Sequence, residues 1–267
     1  MPQTIAGLSE ISGGTAIGKA DDSTNGVEDA ILSLVFAKGA RPDAEAVAGI
    51  EHGFGWPGAF TVSHRPDPSE GWLELLASGL TFDCGGLAPA QAGLLPPRGA
   101  LLGLDTAPVG EAIWLTPGAH IAAGRGLLPI VRVLAGIGSR LATLPQLKAV
   151  CWQPAGSWME PGYFRRVVQD WLDGGAFPAL GLTSLRRESN GAMVSLGLGL
   201  LIGQELRFEP ERALPAAAIA RISVRLIHEL IASGPLLETQ EFEGPNGEAL
   251  LAVPVRDGQQ LRVMVRR

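Results

Sequence analysis

Ile31-Leu32-Ser33-Leu34-Val35-Phe36-Ala37 is an apolar run of strand length, and Ala149-Val150-Cys151-Trp152 is a second one. The segments downstream of these two runs decide the fold. After the first come a turn at Arg41-Pro42-Asp43 and then Val47, Ile50 and Phe54 at helical spacing, which predicts a helix over residues 43–54. Extended runs at Phe60–Arg65 and Trp72–Ala77 come next, separated by the turn-dense Pro66-Asp67-Pro68-Ser69-Glu70-Gly71. After the second run, Pro161 suits a helix N1 position, and Phe164, Val168 and Trp171 share one face opposite Arg165, Arg166, Gln169 and Asp170. Gly174-Gly175 stops that helix. Extended runs at Ala179–Leu185 and Ala192–Ile202 then flank a polar turn, Arg186–Gly191. The order strand, helix, strand, strand thus occurs at residues 30–82 and again at 148–202, displaced by about 119 residues.

This order predicts an α+β fold of two ferredoxin-like β-α-β-β repeats with antiparallel sheets. Two origins remain open: an internal duplication, or the chance order of an α+β chain. Leu80–Cys84 reads as a further strand or as the end of a long one, and Glu111–Leu115 as a strand. Residues 87–110 are rich in Pro, Gly and Ala and receive no element. The longest helix is expected next, with Ile130, Leu134, Ile137, Leu141 and Leu144 on one face and Pro129 at N1. It starts there, or near Ala119 with a kink at Pro129, and it links the two halves. Gly136 and Gly138 weaken it by roughly 1 kcal/mol each relative to Ala. A helix over Pro215–Ser233, closed by Gly234, precedes a meander of Leu236–Phe242, Ala249–Val255 and Leu261–Val265. The expected organisation is a loose arm (1–28), a first α+β half (29–145) and a second (146–267), or one compact body in place of the halves.

Composition narrows the function. Lys and Arg number 21 against 27 Asp and Glu, for a net charge of −6. A nucleic-acid binder needs a basic footprint. Here the densest pairs, Arg165–Arg166, Arg186–Arg187 and Arg266–Arg267, are far apart in sequence. The longest apolar stretch, Ala192–Gly203, is too short to span a bilayer. No basic and apolar leader is read at the N-terminus, so a cytoplasmic protein is expected, with no membrane and no nucleic-acid partner. Its two cysteines, Cys84 and Cys151, should stay reduced.

Motifs add little chemistry. Gly53-Phe54-Gly55-Trp56-Pro57-Gly58 fits G-x-G-x-x-G formally, but it comes after a helix and carries a proline, so it reads as a turn. His52, His64, His120 and His228 lack metal-ligand spacing, and no metal or cofactor is expected. Asp21-Asp22 lies in the loose arm, and Glu205 and Glu209 read as a solvated strand face. Asp83-Cys84-Gly85-Gly86 is the most enzyme-like string, although nothing around it lowers a thiol pKa. Trp158-Met159, placed in a loop, is either an exposed contact or a staple onto the next helix.

The second half also resembles a known family. Ala149-Val150-Cys151-Trp152-Gln153-Pro154, the helix around Tyr163-Phe164, the strand from Leu180, Gly197-Leu198-Gly199 and Gly203-Gln204-Glu205-Leu206-Arg207-Phe208 are similar to bacterial domain-of-unknown-function family 4261. The resemblance runs from Ile31 and is closest after Lys148, while Thr81-Phe82-Asp83-Cys84-Gly85-Gly86 departs from it. It implies a bacterial cytoplasmic protein and transfers no catalytic residue. The expected function is therefore non-enzymatic, through a protein partner or a small ligand in a cleft between the halves. The alternative is a hydrolase or other small-molecule enzyme with a site around Cys84 and His120.

Overall fold

The structure, a computed structural model, describes residues 30–50, 58–211, 214–244 and 247–266. The arm 1–28, Asp21-Asp22, His52, most of the glycine motif and the Pro245-Asn246 step lie outside the described residues. The chain is α+β. Sheet 1 has eight strands in the order β2-β3-β4-β6-β1-β7-β8-β5. These are β1 Leu32–Phe36, β2 Thr61–His64, β3 Trp72–Ala77, β4 Leu80–Gly85, β5 Ala100–Leu102, β6 Glu111–Pro117, β7 Leu147–Trp152 and β8 Ser157–Met159. All neighbours are antiparallel except β5 and β8. Sheet 2 has six strands, β12-β13-β14-β11-β10-β9. They are β9 Ser184–Arg187, β10 Met193–Leu196, β11 Glu205–Phe208, β12 Gln240–Glu243, β13 Ala249–Val255 and β14 Gln260–Val265. Only β11 and β14 run parallel.

β1 lies at the centre of sheet 1, between β6 and β7, with every residue buried. β6 and β7 are both antiparallel to β1, so the chain must cross over between them. The crossover is helix α2, Leu128–Leu141, with a proline in its first turn. The earlier residues Ala119–Gly124 form a separate 3-10 turn, so α2 does not extend back to Ala119. Helix α1, Ala44–Ala48, is capped by Asp43 and ends at Gly49, short of the expected residue 54. Helix α3, Pro161–Leu172, lies beside α2 on the same face of sheet 1. Helix α4, Ala179–Leu182, is a short irregular turn broken at Leu180 and Gly181. Helix α5 is Leu198–Ile202, and α6, Ala216–Ser233, packs on β10 and β11.

Several expectations are corrected. Among the described residues the longest helix is α6, with 18 residues, rather than α2, with 14. Ala179–Leu185 is not one strand: it folds as α4, and β9 begins only at Ser184. Ala192–Ile202 is not one strand either. Gly197 takes φ +86°, and a side chain there would sit 3.0 Å from the Ala155 backbone nitrogen, so β10 stops and α5 starts. Of the two readings of Leu80–Cys84, the separate strand holds: it turns back from β3 at Ser78-Gly79.

One apolar core runs through both halves, from Leu32, Leu34 and Phe36 through Ile130, Phe164 and Leu226 to Val263. Sheet 1 itself joins β7 and β8 of residues 146–267 to strands of residues 29–145. A second, smaller core lies on the opposite face of sheet 1, where Val35, Ala112, Ala149, Cys151 and Trp158 meet Leu104 and Ala107. Residues 87–110 thus cover that face. Arg41 anchors the start of this segment, bonding the carbonyls of Gly86 and Ala90 (the latter at 2.9 Å) and the Glu111 carboxylate at 2.9 Å. The hydrogen bond from Arg41 is the main reason the Glu111 carboxyl titrates below its usual range. Among the described residues no helix is long and apolar enough to cross a membrane.

Candidate functional site

Strand alternation separates the two residues of the enzyme-like reading. Along β4, Phe82 and Cys84 point into the main core, while Thr81 and Asp83 occupy the other face. Cys84 is fully buried, and its thiol is pushed up to about 12, first by burial and then by the Asp83 charge. Burial pushes the Cys151 thiol up as well. His120 is exposed on the 3-10 turn, with Nε2 3.2 Å from Thr81 Oγ1. Cys84 and His120 are therefore not brought together: the sheet stands between them.

What His120 does meet is an acidic pair that sequence reasoning missed. Glu74 on β3 is directly opposite Asp83 on β4, and Ser63 Oγ donates to Glu74 Oε1 at 2.7 Å. Desolvation and then the Glu74 charge raise the Asp83 carboxyl above its usual range, against the opposing pull of His120. The signal was available in Ser78-Gly79, because a two-residue hairpin turn fixes every cross-strand partner behind it. His64 is exposed beside Trp72, with ring centroids 5.4 Å apart. His228 is half-buried on α6, its ring 6.5 Å from Phe177.

Trp158 and Met159 are not an exposed contact. They lie in β8, so alternate side chains enter opposite cores, Trp158 the smaller and Met159 the main one. Trp158 Nε1 donates to the Pro97 carbonyl at 3.0 Å, on the face away from α3, which also removes the staple reading. Glu205 is not a solvated strand residue. Its carboxylate accepts from Gly199 N at 2.8 Å and from Ser195 Oγ, and Ser195 Oγ accepts from Leu206 N at 2.7 Å. This ties the first turn of α5 to β11. Glu209 pairs with Arg207 Nε at 3.3 Å, and Arg207 also bonds Glu188 at 2.7 Å.

The concave site lies elsewhere. α2 packs beside α3 and closely on its other neighbours at its glycines. A side chain at Gly138 would stand 2.8 Å from Leu32 Cδ1 and 3.5 Å from Phe164 Cε1, and one at Gly136 2.9 Å from Gly58 Cα. On their solvent side the two helices leave a cavity of about 360 Å³. One wall is Ser139, Arg140 and Thr143; the other is Gly162, Arg165, Arg166 and Gln169. Helical periodicity puts these residues there. Phe164, Val168 and Trp171 bury one face of α3, so the arginines and Gln169 must line the other.

Three arginines thus line one cavity, and no carboxylate is among its described lining residues. Like charges held together in this way favour an anion between them. The helix terminus plays no part, because Glu160 already accepts from Gly162 N at 2.8 Å and Tyr163 N at 2.6 Å. The Arg166 guanidinium lies 5.7 Å over the Tyr163 ring, which restrains its plane. Gln169 Nε2 donates to the Asp173 carboxylate, 3.1 Å from each oxygen, and Thr143 donates its hydroxyl hydrogen to the Arg140 carbonyl at 2.8 Å. Among the described residues no group of three or more His, Cys, Asp or Glu is placed to hold a metal.

No protein-family model, no curated protein and no solved structure matches this chain.

Proposed function

We propose that this protein acts by binding a small anionic ligand in the groove between α2 and α3, one helix from each half, without catalysing a reaction there. The observation that carries this reading is the convergence of Arg165 and Arg166 from α3 with Arg140 from α2 on one cavity, with no carboxylate among its described lining residues. Its volume falls in the range of about 300–1,000 Å³ usual for small-molecule sites. Its described lining residues are arginines, hydroxyl and amide side chains and a glycine, groups that bind and orient an anion.

A thermal-shift screen of small anions and matched neutral compounds, run on the native protein and on the Arg165→Ala/Arg166→Ala variant, tests this. A ligand present at about 100 times its Kd adds about 2.7 kcal/mol of stability. For a chain of this size that is a rise of roughly 5 °C or more. The rise is expected for the native protein and should be lost in the variant. Equal rises in both proteins would refute the groove as the site, and so would hits confined to neutral compounds.

The finer architecture belongs to the same proposal. Two ferredoxin-like units are supported by two antiparallel meanders in matching order, β2-β3-β4 in sheet 1 and β9-β10-β11 in sheet 2, each preceded by a strand and a helix. Membership of family 4261, with the cytoplasmic location it implies, is supported by the strand ending at Trp152, helix α3 and the left-handed Gly197 before Glu205.

A further inference from the structure

We infer that copies of this chain associate head to tail, β12 of one copy adding to β9 of the next, so that sheet 2 continues from molecule to molecule. β12 and β9 are the two outermost strands of sheet 2, each four residues long. An outermost strand carries unpaired N–H and C=O groups, which template pairing with another chain. The hydrogen bond from Glu188 N to the Ala192 carbonyl sets the alternation of the β9–β10 ladder, so Leu185 and Arg187 turn their backbone groups outward. The bond from Gly244 N to the Glu248 carbonyl does the same for β12, where Glu241 and Glu243 turn theirs outward.

The two edges carry opposite charge. Arg186 and Arg187 are exposed on β9, while Glu241 and Glu243 are exposed on β12, with Glu238 exposed just before it. Arg186, Arg187 and Glu243 enter no ion pair among the described residues. Charge guards an edge against a copy of itself, since β12 beside β12 sets carboxylate on carboxylate, but it favours an edge of the opposite sign.

Strand direction selects the same partner. Four pairings in sheet 2 reverse direction and one does not, so β9 and β12 run the same way. A second copy placed beside the first without turning over therefore lays its β12 parallel to β9. Leu185 and Phe242 both pack against the main core, so Arg186, Glu241 and Glu243 share the opposite face of the sheet. In a parallel pair, a residue whose backbone groups face the gap stands opposite one whose groups face away. That condition allows Arg186 to stand opposite Glu243 on the open face and Leu185 opposite Phe242 on the face that carries α6. Sliding the strands by two residues would instead set Glu188 against Glu243, which disfavours that register.

Analytical ultracentrifugation of the full chain over a range of concentrations tests the inference. The native protein should gain mass with concentration at about 0.05 M salt and associate at least about tenfold more weakly at about 1 M, where the screening length is about 3 Å. Arg186→Glu/Arg187→Glu leaves only the β12 edge competent. Glu241→Pro leaves only the β9 edge competent, and because the lost N–H faces outward the strand itself is kept. Each variant should be monomeric with native circular dichroism, and the two mixed in equal amounts should form a dimer and nothing larger. A native protein that stays monomeric at low salt at every concentration would overturn the inference. Variants that associate as the native protein does would overturn it too, as would a mixture that stays monomeric. Association lost in Glu241→Pro but kept in Arg186→Glu/Arg187→Glu would replace head-to-tail addition with the pairing of two β12 strands, and so refute it.

Discussion

Replacing Gly138 with alanine separates two accounts of helix α2. By helix propensity alone, Gly138→Ala should stabilise the protein by roughly 1 kcal/mol. The packing says otherwise. The new methyl would stand 2.8 Å from Leu32 Cδ1, 3.4 Å from Leu32 Cδ2 and 3.5 Å from Phe164 Cε1. Leu32 and Phe164 are both fully buried, so neither has free space to swing into. Overpacking of this kind costs about 1–3 kcal/mol. Set against the propensity gain, the net should be a loss of about 1 kcal/mol, reaching about 2 if β1 has to shift. Leu32→Ala alone should cost about 2–5 kcal/mol through the cavity it leaves. In the double variant the added methyl enters that cavity and the clash disappears. The two changes should therefore couple favourably, by about 1–3 kcal/mol. Urea unfolding of the four proteins, monitored by tryptophan fluorescence and far-UV circular dichroism, gives every leg of the cycle. If Gly138→Ala stabilises the protein, or if the two changes simply add, α2 is not held against β1 at this point and the reasoning is wrong.

Asp83, the two cysteines and Ser195 each give a further expected outcome. Because Asp83 is raised in the native state, it holds its proton more tightly there than in the unfolded chain, so stability should decline as pH rises from about 4 through its native value. Asp83→Asn should flatten that decline in urea titrations between about pH 4 and 7, and an unchanged slope would contradict the assignment. Cys84 and Cys151 are both buried, with thiols raised by burial, so a thiol reagent at about pH 8 should label them only as fast as the protein opens; rapid labelling of the native state would contradict this. Ser195→Ala should cost about 1–3 kcal/mol in thermal or urea unfolding, because the buried Leu206 N–H loses its acceptor, and a neutral result would show that Glu205 or water takes over.

The parts of the fold legible in the sequence are those that local pattern determines. The run at Ile31 and the run at Ala149 are apolar on both strand faces, and both lie at the centre of sheet 1, buried on both sides. Pro161 and Gly174 bracket α3, and Gly234 closes α6, because caps are local chemistry. Ala192–Ile202 misled because an apolar run shows no period when both its strand and the helix after it are buried; only the left-handed backbone at Gly197 divides them. Trp158 misled because its three-residue strand exists only through pairing with β7 and β5, which no local signal announces. The groove was half legible. Arg165 and Arg166 could be placed on the polar face of α3, but that Arg140 would stand across from them depended on how α2 and α3 pack side by side, which no local signal announces.

The position of β14 bears on how the protein is made. Gln260–Val265 lies between β13 and β11, and without it sheet 2 is two unconnected pieces, β12-β13 and β11-β10-β9. On the ribosome, where chain emerges at about 5–20 residues per second, β11 must wait with an open edge until residue 265 is clear of the exit tunnel. β1 waits in the same way for β6 and then for β7. Both sheets are thus completed by late arrivals at interior positions. Their nascent forms expose unpaired strand edges for seconds, long enough for a chaperone that grips such edges to engage them.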